Sequence, residues 1–205
     1  MPPRSYVSPG RSAAAAETRE RVIAAASRTL REESIARFSL DTVAKAAGVT
    51  RLTVYNQFGS RRGLLEAVFD EIAQSGGLHR LVETMTMADP RAALDRLVEI
   101  FCAFWSRDSA VGRLHDAMVT DPEFAEAIRD RNERRRKGLT MLIDRLADKR
   151  APPQARKDAV DLIFALTSYP TFAALSPGRS RDEVCKVVQT ACHAALAPLA
   201  GSSSS

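Results

Sequence analysis

The segment Phe38–Leu65, FSLDTVAKAAGVTRLTVYNQFGSRRGLL, decides how the chain is read. Ser39 has the side-chain oxygen to cap a helix whose inward positions are Leu40, Val43 and Ala44, and Gly48 stands where a left-handed residue would end it. Thr50 offers a second cap, with Leu52 to Gln57 as the body of the next helix and Val49, Val54 and Phe58 as its core contacts. Gly59 and Ser60 then break the chain, and a further helix starts near Arg61. Two short helices joined by a tight glycine turn make a helix-turn-helix. Small residues on the first, Ala44, Ala46 and Ala47, let the pair cross closely, while Arg51, Thr53, Tyr55, Asn56 and Gln57 give the second an outward face of the kind that enters a DNA major groove.

The charge around this segment agrees with that reading. Residues 1–62 carry eleven Lys or Arg against five Asp or Glu, whereas residues 63–205 carry nineteen against twenty, so the whole excess of +5 arises in the first third. A basic module on a near-neutral body is the electrostatic footprint of a polyanion binder, duplex DNA above all. Lys45 and Arg37 add salt-sensitive attraction.

Upstream, Val22, Ile23, Ala26 and Leu30 recur at helical spacing from Glu17 to about Glu33 and make a first helix. Residues 1–16, with three prolines, Arg4 and Arg11, read as a flexible basic arm, and 201–205 as a disordered tail. Downstream, Gly76-Gly77, Asp89-Pro90, Arg107 to Gly112, Asp121-Pro122, Pro152-Pro153 and Pro177-Gly178 divide the chain into helical blocks. Blocks begin at Pro90 and at Pro122, the latter reaching Arg150, and two amphipathic blocks span Gln154 to Leu175, with a kink at Pro170, and Arg181 to Leu196. With no alternating strand pattern and only 6% aromatic residues, the expected class is all-α: an N-terminal three-helix domain with the helix-turn-helix over 17–62, and a C-terminal helical domain over 63–200.

The stretch VAKAAGVTRLTVYNQFGSRRGLLEAV resembles the DNA-binding segment of the TetR family of bacterial transcriptional regulators. The features that carry the likeness are the Ala-Ala-Gly-Val-Thr turn, Tyr-x-x-Phe closing the third helix, and Ser-Arg opening the fourth, where the family usually has Ser-Lys. The motif covers about residues 18–70, and the remainder agrees in length and helical layout. The resemblance implies that Arg51, Leu52 and Asn56 face base edges, and that Ser39, Thr50, Thr53, Tyr55, Gln57 and Arg61 hold phosphates. Arginine can read guanine bidentately, and hydroxyls and helix N-termini bind phosphate without reading sequence. Leu52 departs from the small residue often found there and offers an apolar contact to a thymine methyl. For Tyr55 a packing role stays open. The resemblance also implies a homodimer on a palindromic operator, released by a small-molecule effector, and one such module alone reads only a half-site.

In the second domain, Phe101, Phe104, Trp105, His115, Met118, Tyr169 and Phe172 are the candidates to line an effector cavity, with core packing as the rival for each. The last two blocks are the candidate dimer interface, through Val160, Ile163, Phe164, Val184, Val187, Val188 and Ala191 in a four-helix bundle. Cys102, Cys185 and Cys192 read as reduced, buried thiols, with Cys185 and Cys192 packing on nearly one face of a helix. Arg134 to Lys137 reads as a solvated helix face. His79, His115 and His193 are too scattered to suggest a metal, no cofactor motif or catalytic signature appears, and the expectation is a regulator that is not an enzyme. Without a secretory signal or a span of about 20 apolar residues, a cytoplasmic protein with no membrane partner is expected. Two other readings remain open: a helical small-molecule binder or enzyme with a vestigial DNA-binding unit, and a regulator controlled by a protein partner.

Overall fold

A computed structural model describes residues 9–33 and 35–200. The first half of the expected arm and the whole expected tail, 1–8 and 201–205, lie outside the described residues. Among those described, eleven α-helices and three short 3-10 turns form the chain, with no strand. Helix α1 spans Pro9–Glu32, α2 Leu40–Ala47, α3 Arg51–Phe58, α4 Arg61–Ser75, α5 Leu81–Thr86 and α6 Pro90–Arg107. They are followed by α7 Ala110–Thr120, α8 Pro122–Leu146, α9 Pro153–Leu166, α10 Tyr169–Leu175 and α11 Arg181–Ala195.

Three boundaries differ from the sequence reading, each for a local reason. Residues 9–16 are not a free arm but the start of α1, because the run Ala13–Ala16 has the strongest helix propensity of any residue type. Gly112 is absorbed within α7. Pro170 does not kink one long helix: Thr167 and Ser168 turn their hydroxyls back onto the carbonyls of Ile163 and Ala165, which ends α9, and Pro170 then sits in the first turn of a separate α10, where its missing N–H costs nothing.

The helices form two compact units, one of the described residues up to Glu71 with Ala110–Phe124, the other of Ile72–Ser109 with the residues from Ala125 onward. This differs from a division into 17–62 and 63–200. The first unit keeps most of α4 because Leu64, Leu65 and Val68 are fully buried, and it recruits α7, which packs on α1. Its core joins Val22, Ala26 and Leu30 of α1 to Phe38, Val43, Val54 and Phe58. In the second unit α6 packs on α11 and α5, and α9 on α11, around Leu94, Val98, Phe101, Leu142, Ile143, Ile163, Val184 and Val188. Each such fully buried aliphatic side chain contributes roughly 1.5–3 kcal/mol.

Candidate nucleic-acid interface

The turn between α2 and α3 is built as its residues dictate. The Ser39 hydroxyl accepts from the Thr42 N–H at 3.1 Å to open α2. Gly48 closes α2 at φ 66°, a left-handed conformation that any side chain would strain, and the N–H groups of Gly48 and Val49 return to the carbonyls of Lys45 and Ala44. The Thr50 hydroxyl then accepts from the Thr53 N–H at 3.1 Å to open α3.

Only Val54 and Phe58 of α3 turn inward. Arg51 and Asn56 are exposed, and so are two apolar or aromatic side chains, Leu52 at 65% and Tyr55 at 55%. The far end of α3 is clamped by α1. Gln57 donates its amide to the Ala15 carbonyl at 3.1 Å, Arg19 donates to the Gln57 carbonyl at 3.2 Å, and the Arg19 guanidinium lies 4.5 Å from the Phe58 ring centre. A cation on the last carbonyls of a helix also suits the helix dipole. Arg19 carried no signal in the sequence, because its partners lie 38 and 39 residues away.

Of the expected phosphate ligands, Ser39 and Thr50 cap their own helices, and Gln57 spends its amide on α1. Lys45 is exposed and pairs along α2 with Asp41 at 2.9 Å. Arg61 takes partners within its own unit. It donates through Nε to the Phe38 carbonyl at 2.9 Å, through Nη1 to Asp121 Oδ2 at 2.6 Å and through Nη2 to the Ile35 carbonyl at 3.4 Å. A guanidinium so engaged ties the start of α4 to the Ile35–Phe38 segment and to Asp121. The family likeness of the Ser-Arg pair gave its place at the start of α4 but not its direction.

The second unit sorts the expected effector-cavity residues into three groups. Trp105, Tyr169 and Phe172 come together as walls of an open cleft of about 530 Å³, with Asp108, Arg179 and Arg181 at its polar end. The Trp105 indole donates to the Thr167 carbonyl at 3.0 Å and meets Tyr169 edge-on, ring centres 5.8 Å apart. Phe101 and Phe104 are instead buried core. His115 and Met118 fall on α7 in the first unit and are not among the walls. Behind the aromatic wall Arg135 lies between the Phe101 and Phe164 rings, 4.2 and 4.4 Å from their centres, and donates to the Phe164 carbonyl and the Thr167 hydroxyl. Among the described residues its buried Nε has no hydrogen-bond partner, and burial, with the like charge of Arg136, brings its pKa down to about 10.

The expected dimer face is also redistributed. Val160, Ile163, Val184 and Val188 are buried in the core of the protomer. Phe164 is half-buried against the Arg135 and Arg136 guanidinium groups, and Ala191 is half-buried. Val187, 42% exposed on α11, and Leu162, 52% exposed on α9, are large apolar groups that these two helices leave outward. Leu162 was not singled out from the sequence, because the amphipathic pattern of α9 does not tell an inner stripe from an outer one.

Comparison with known proteins bears on the first unit most directly. Residues 22–68 match the family described as bacterial regulatory proteins, tetR family. This segment is similar to the N-terminal module of that family. A curated relative, the HTH-type transcriptional regulator EthR of Mycolicibacterium smegmatis, is 34% identical over 108 residues, 51% of this chain and 49% of EthR. The match thus spans about half the length of that relative. Two solved structures align over most of both chains. A TetR-family regulator from Mesorhizobium loti gives a TM-score of 0.67 at 17% identity, covering 89% of this chain and 96% of its own. The TetR-like regulator LfrR from Mycobacterium smegmatis, in complex with proflavine, gives 0.57 at 23%, covering 89% and 97%. These likenesses establish the TetR-like fold beyond the N-terminal module. Among the described residues, no helix is long and apolar enough to cross a membrane, and no cluster of three metal-ligating side chains forms.

Proposed function

We propose that the chain is a ligand-responsive TetR-like transcriptional repressor, which binds a palindromic DNA operator as a homodimer and leaves it when a small molecule occupies the second unit. The observation that carries this reading is the outward strip of α3, where Arg51, Leu52, Tyr55 and Asn56 stand exposed on a helix capped at its start and clamped at its end. Such a rod supplies both what reads bases and what fixes their register. Arg51 and Asn56 take base edges, Leu52 takes a thymine methyl, and Tyr55, Thr53 and Lys45 take phosphates. The dimer forms across α9 and α11 through Leu162 and Val187. The effector enters the cleft of Trp105, Tyr169 and Phe172, and LfrR in complex with proflavine supports a small-molecule site in this fold.

Release is a coupling energy: the effector binds one conformer better than the other, and in that conformer the two α3 helices no longer fit successive major grooves roughly 34–36 Å apart. The relatives are named as regulators, which favours this role over catalysis. Fluorescence anisotropy of wild type and Arg51→Ala on operator and on scrambled duplex tests the reading. A loss of about 5- to 150-fold confined to operator is expected, corresponding to roughly 1–3 kcal/mol of base discrimination. Equal loss on both duplexes removes Arg51 from base reading.

A further inference from the structure

The cleft walled by Trp105, Tyr169 and Phe172 carries a charge pattern that discriminates among small molecules. Trp105 comes from the last turn of α6, and Tyr169 and Phe172 from α10. All three are half-buried, so each leaves part of its ring exposed. The space of about 530 Å³ falls within the roughly 300–1,000 Å³ of small-molecule sites, and aromatic walls favour a flat aromatic guest.

The polar end sets two guanidinium groups, Arg179 and Arg181, against one carboxylate, Asp108. The two arginines are not equivalent. Arg181 is held by Asp182, whose Oδ1 accepts from its Nε at 2.9 Å and its Nη2 at 2.8 Å. Arg179 donates through Nη1 to the Leu175 carbonyl at 2.9 Å, and among the described residues no carboxylate pairs with it. Glu183, which feels the Arg179 charge, accepts instead from the Ser180 N–H and hydroxyl. A second cation stands behind the rings. Arg135 donates to the Thr167 hydroxyl, while the Trp105 indole donates to the carbonyl of the same residue. The described partners of Arg135 are two rings, a carbonyl and a hydroxyl, with no carboxylate among them, whereas its neighbour Arg136 is paired with Asp161. Two cations that no described carboxylate neutralises thus outweigh the single carboxylate of the walls.

We infer that this cleft takes a planar aromatic carboxylate, its rings against Trp105, Tyr169 and Phe172 and its carboxylate on the Arg179 guanidinium. The Nε and Nη2 of Arg179, which meet no acceptor among the described residues, make the planar fork that matches two carboxylate oxygens at once. Asp108 would favour a cationic guest, which is the competing outcome. The inference rests on the effector reading of this cleft for its regulatory sense, while the binding is tested without DNA.

Trp105 is the single tryptophan of the chain, so its emission reports the cleft directly. The full-length chain is titrated in a calorimeter with 2-naphthoate, with the neutral 2-naphthylmethanol and with the cationic 2-naphthylmethylammonium, and Trp105 emission is followed with correction for absorbance by the probes. 2-Naphthoate should bind at least about fivefold more tightly than either analogue and change the Trp105 emission at saturation. In Arg179→Ala the preference for carboxylate over alcohol should vanish, and Arg179→Lys, which keeps the charge but not the fork, should restore part of it. Failure of 2-naphthoate to bind, equal affinity for carboxylate and alcohol, preference for the ammonium compound, an undiminished preference in Arg179→Ala, or saturation without a change in Trp105 emission overturns the proposal. Adding 2-naphthoate to the complex with a duplex selected from a random pool separates the two readings. Release supports both, whereas Arg179-dependent binding without release upholds the carboxylate site and removes its effector role.

Discussion

Replacing Arg61 by alanine separates two physical roles that the same residue could play. If its guanidinium holds the fold, the substitution acts on stability, and if it grips a phosphate, it acts on DNA affinity. The Asp121 contact is a 2.6 Å charge-assisted bond between side chains 32% and 18% exposed. Buried, such a bond is worth about 1.5–3 kcal/mol, and screening at the partly exposed guanidinium brings it to about 1–2 kcal/mol. The bonds to the Phe38 and Ile35 carbonyls, the second of them long, add about 1 kcal/mol. Arg61→Ala should therefore destabilise the first unit by about 2–3 kcal/mol, a large share of a domain stability of roughly 5–15 kcal/mol. Urea unfolding followed by circular dichroism measures it. A double-mutant cycle with Asp121→Asn should recover a coupling of about 1–2 kcal/mol, because the pair is lost once and not twice. At a temperature where the variant stays folded, the salt dependence of its DNA affinity should match wild type. Stability within about 0.5 kcal/mol of wild type, together with a salt slope reduced by about 1, would return Arg61 to the phosphate and refute the reasoning.

Other outcomes follow from single contacts. A methyl added at Gly63 would stand 2.1 Å from the Phe58 carbonyl oxygen, so Gly63→Ala should force α4 away from the end of α3 and destabilise the first unit by more than 1 kcal/mol, on the scale of about 1–3 kcal/mol for overpacking, read from the same urea curves. Leu162→Glu with Val187→Glu should turn a light-scattering dimer into a folded monomer, because both groups are exposed and neither supports the core. The α11 cap gives a pH test. Glu183 accepts from the Ser180 N–H and hydroxyl, both at 2.7 Å, and these hold its pKa below the ordinary carboxyl value of 4.5. Its contribution is therefore present above that value and lost as pH falls through the lower folded one, and Glu183→Gln should flatten this part of the acid stability profile.

Local chemistry made the first unit legible. Ser39, Gly48 and Thr50 act on neighbours within five residues, so their spacing alone set the helix-turn-helix. The Arg61 contact with Asp121, 60 residues on, left no mark in the sequence, because an arginine at a helix start looks the same whether it turns outward or inward. In the second unit the periodicity of α9 and α11 located apolar stripes but not their partners. Val184 and Val188 went to the core and Val187 to the surface, a distinction set by where α6 lies. Phe104 and Trp105 are neighbours in sequence, yet only Trp105 lines the cleft.

Selection of bound duplexes from a random pool at low ionic strength tests the central claim most directly, since it asks α3 to read bases without presupposing any operator. The account predicts enrichment of an inverted repeat whose half-site centres lie one helical turn or a multiple of it apart, with Arg51→Ala losing preference at one position in each half-site. Recovery of an unenriched pool, bound equally by wild type and Arg51→Ala, would contradict it.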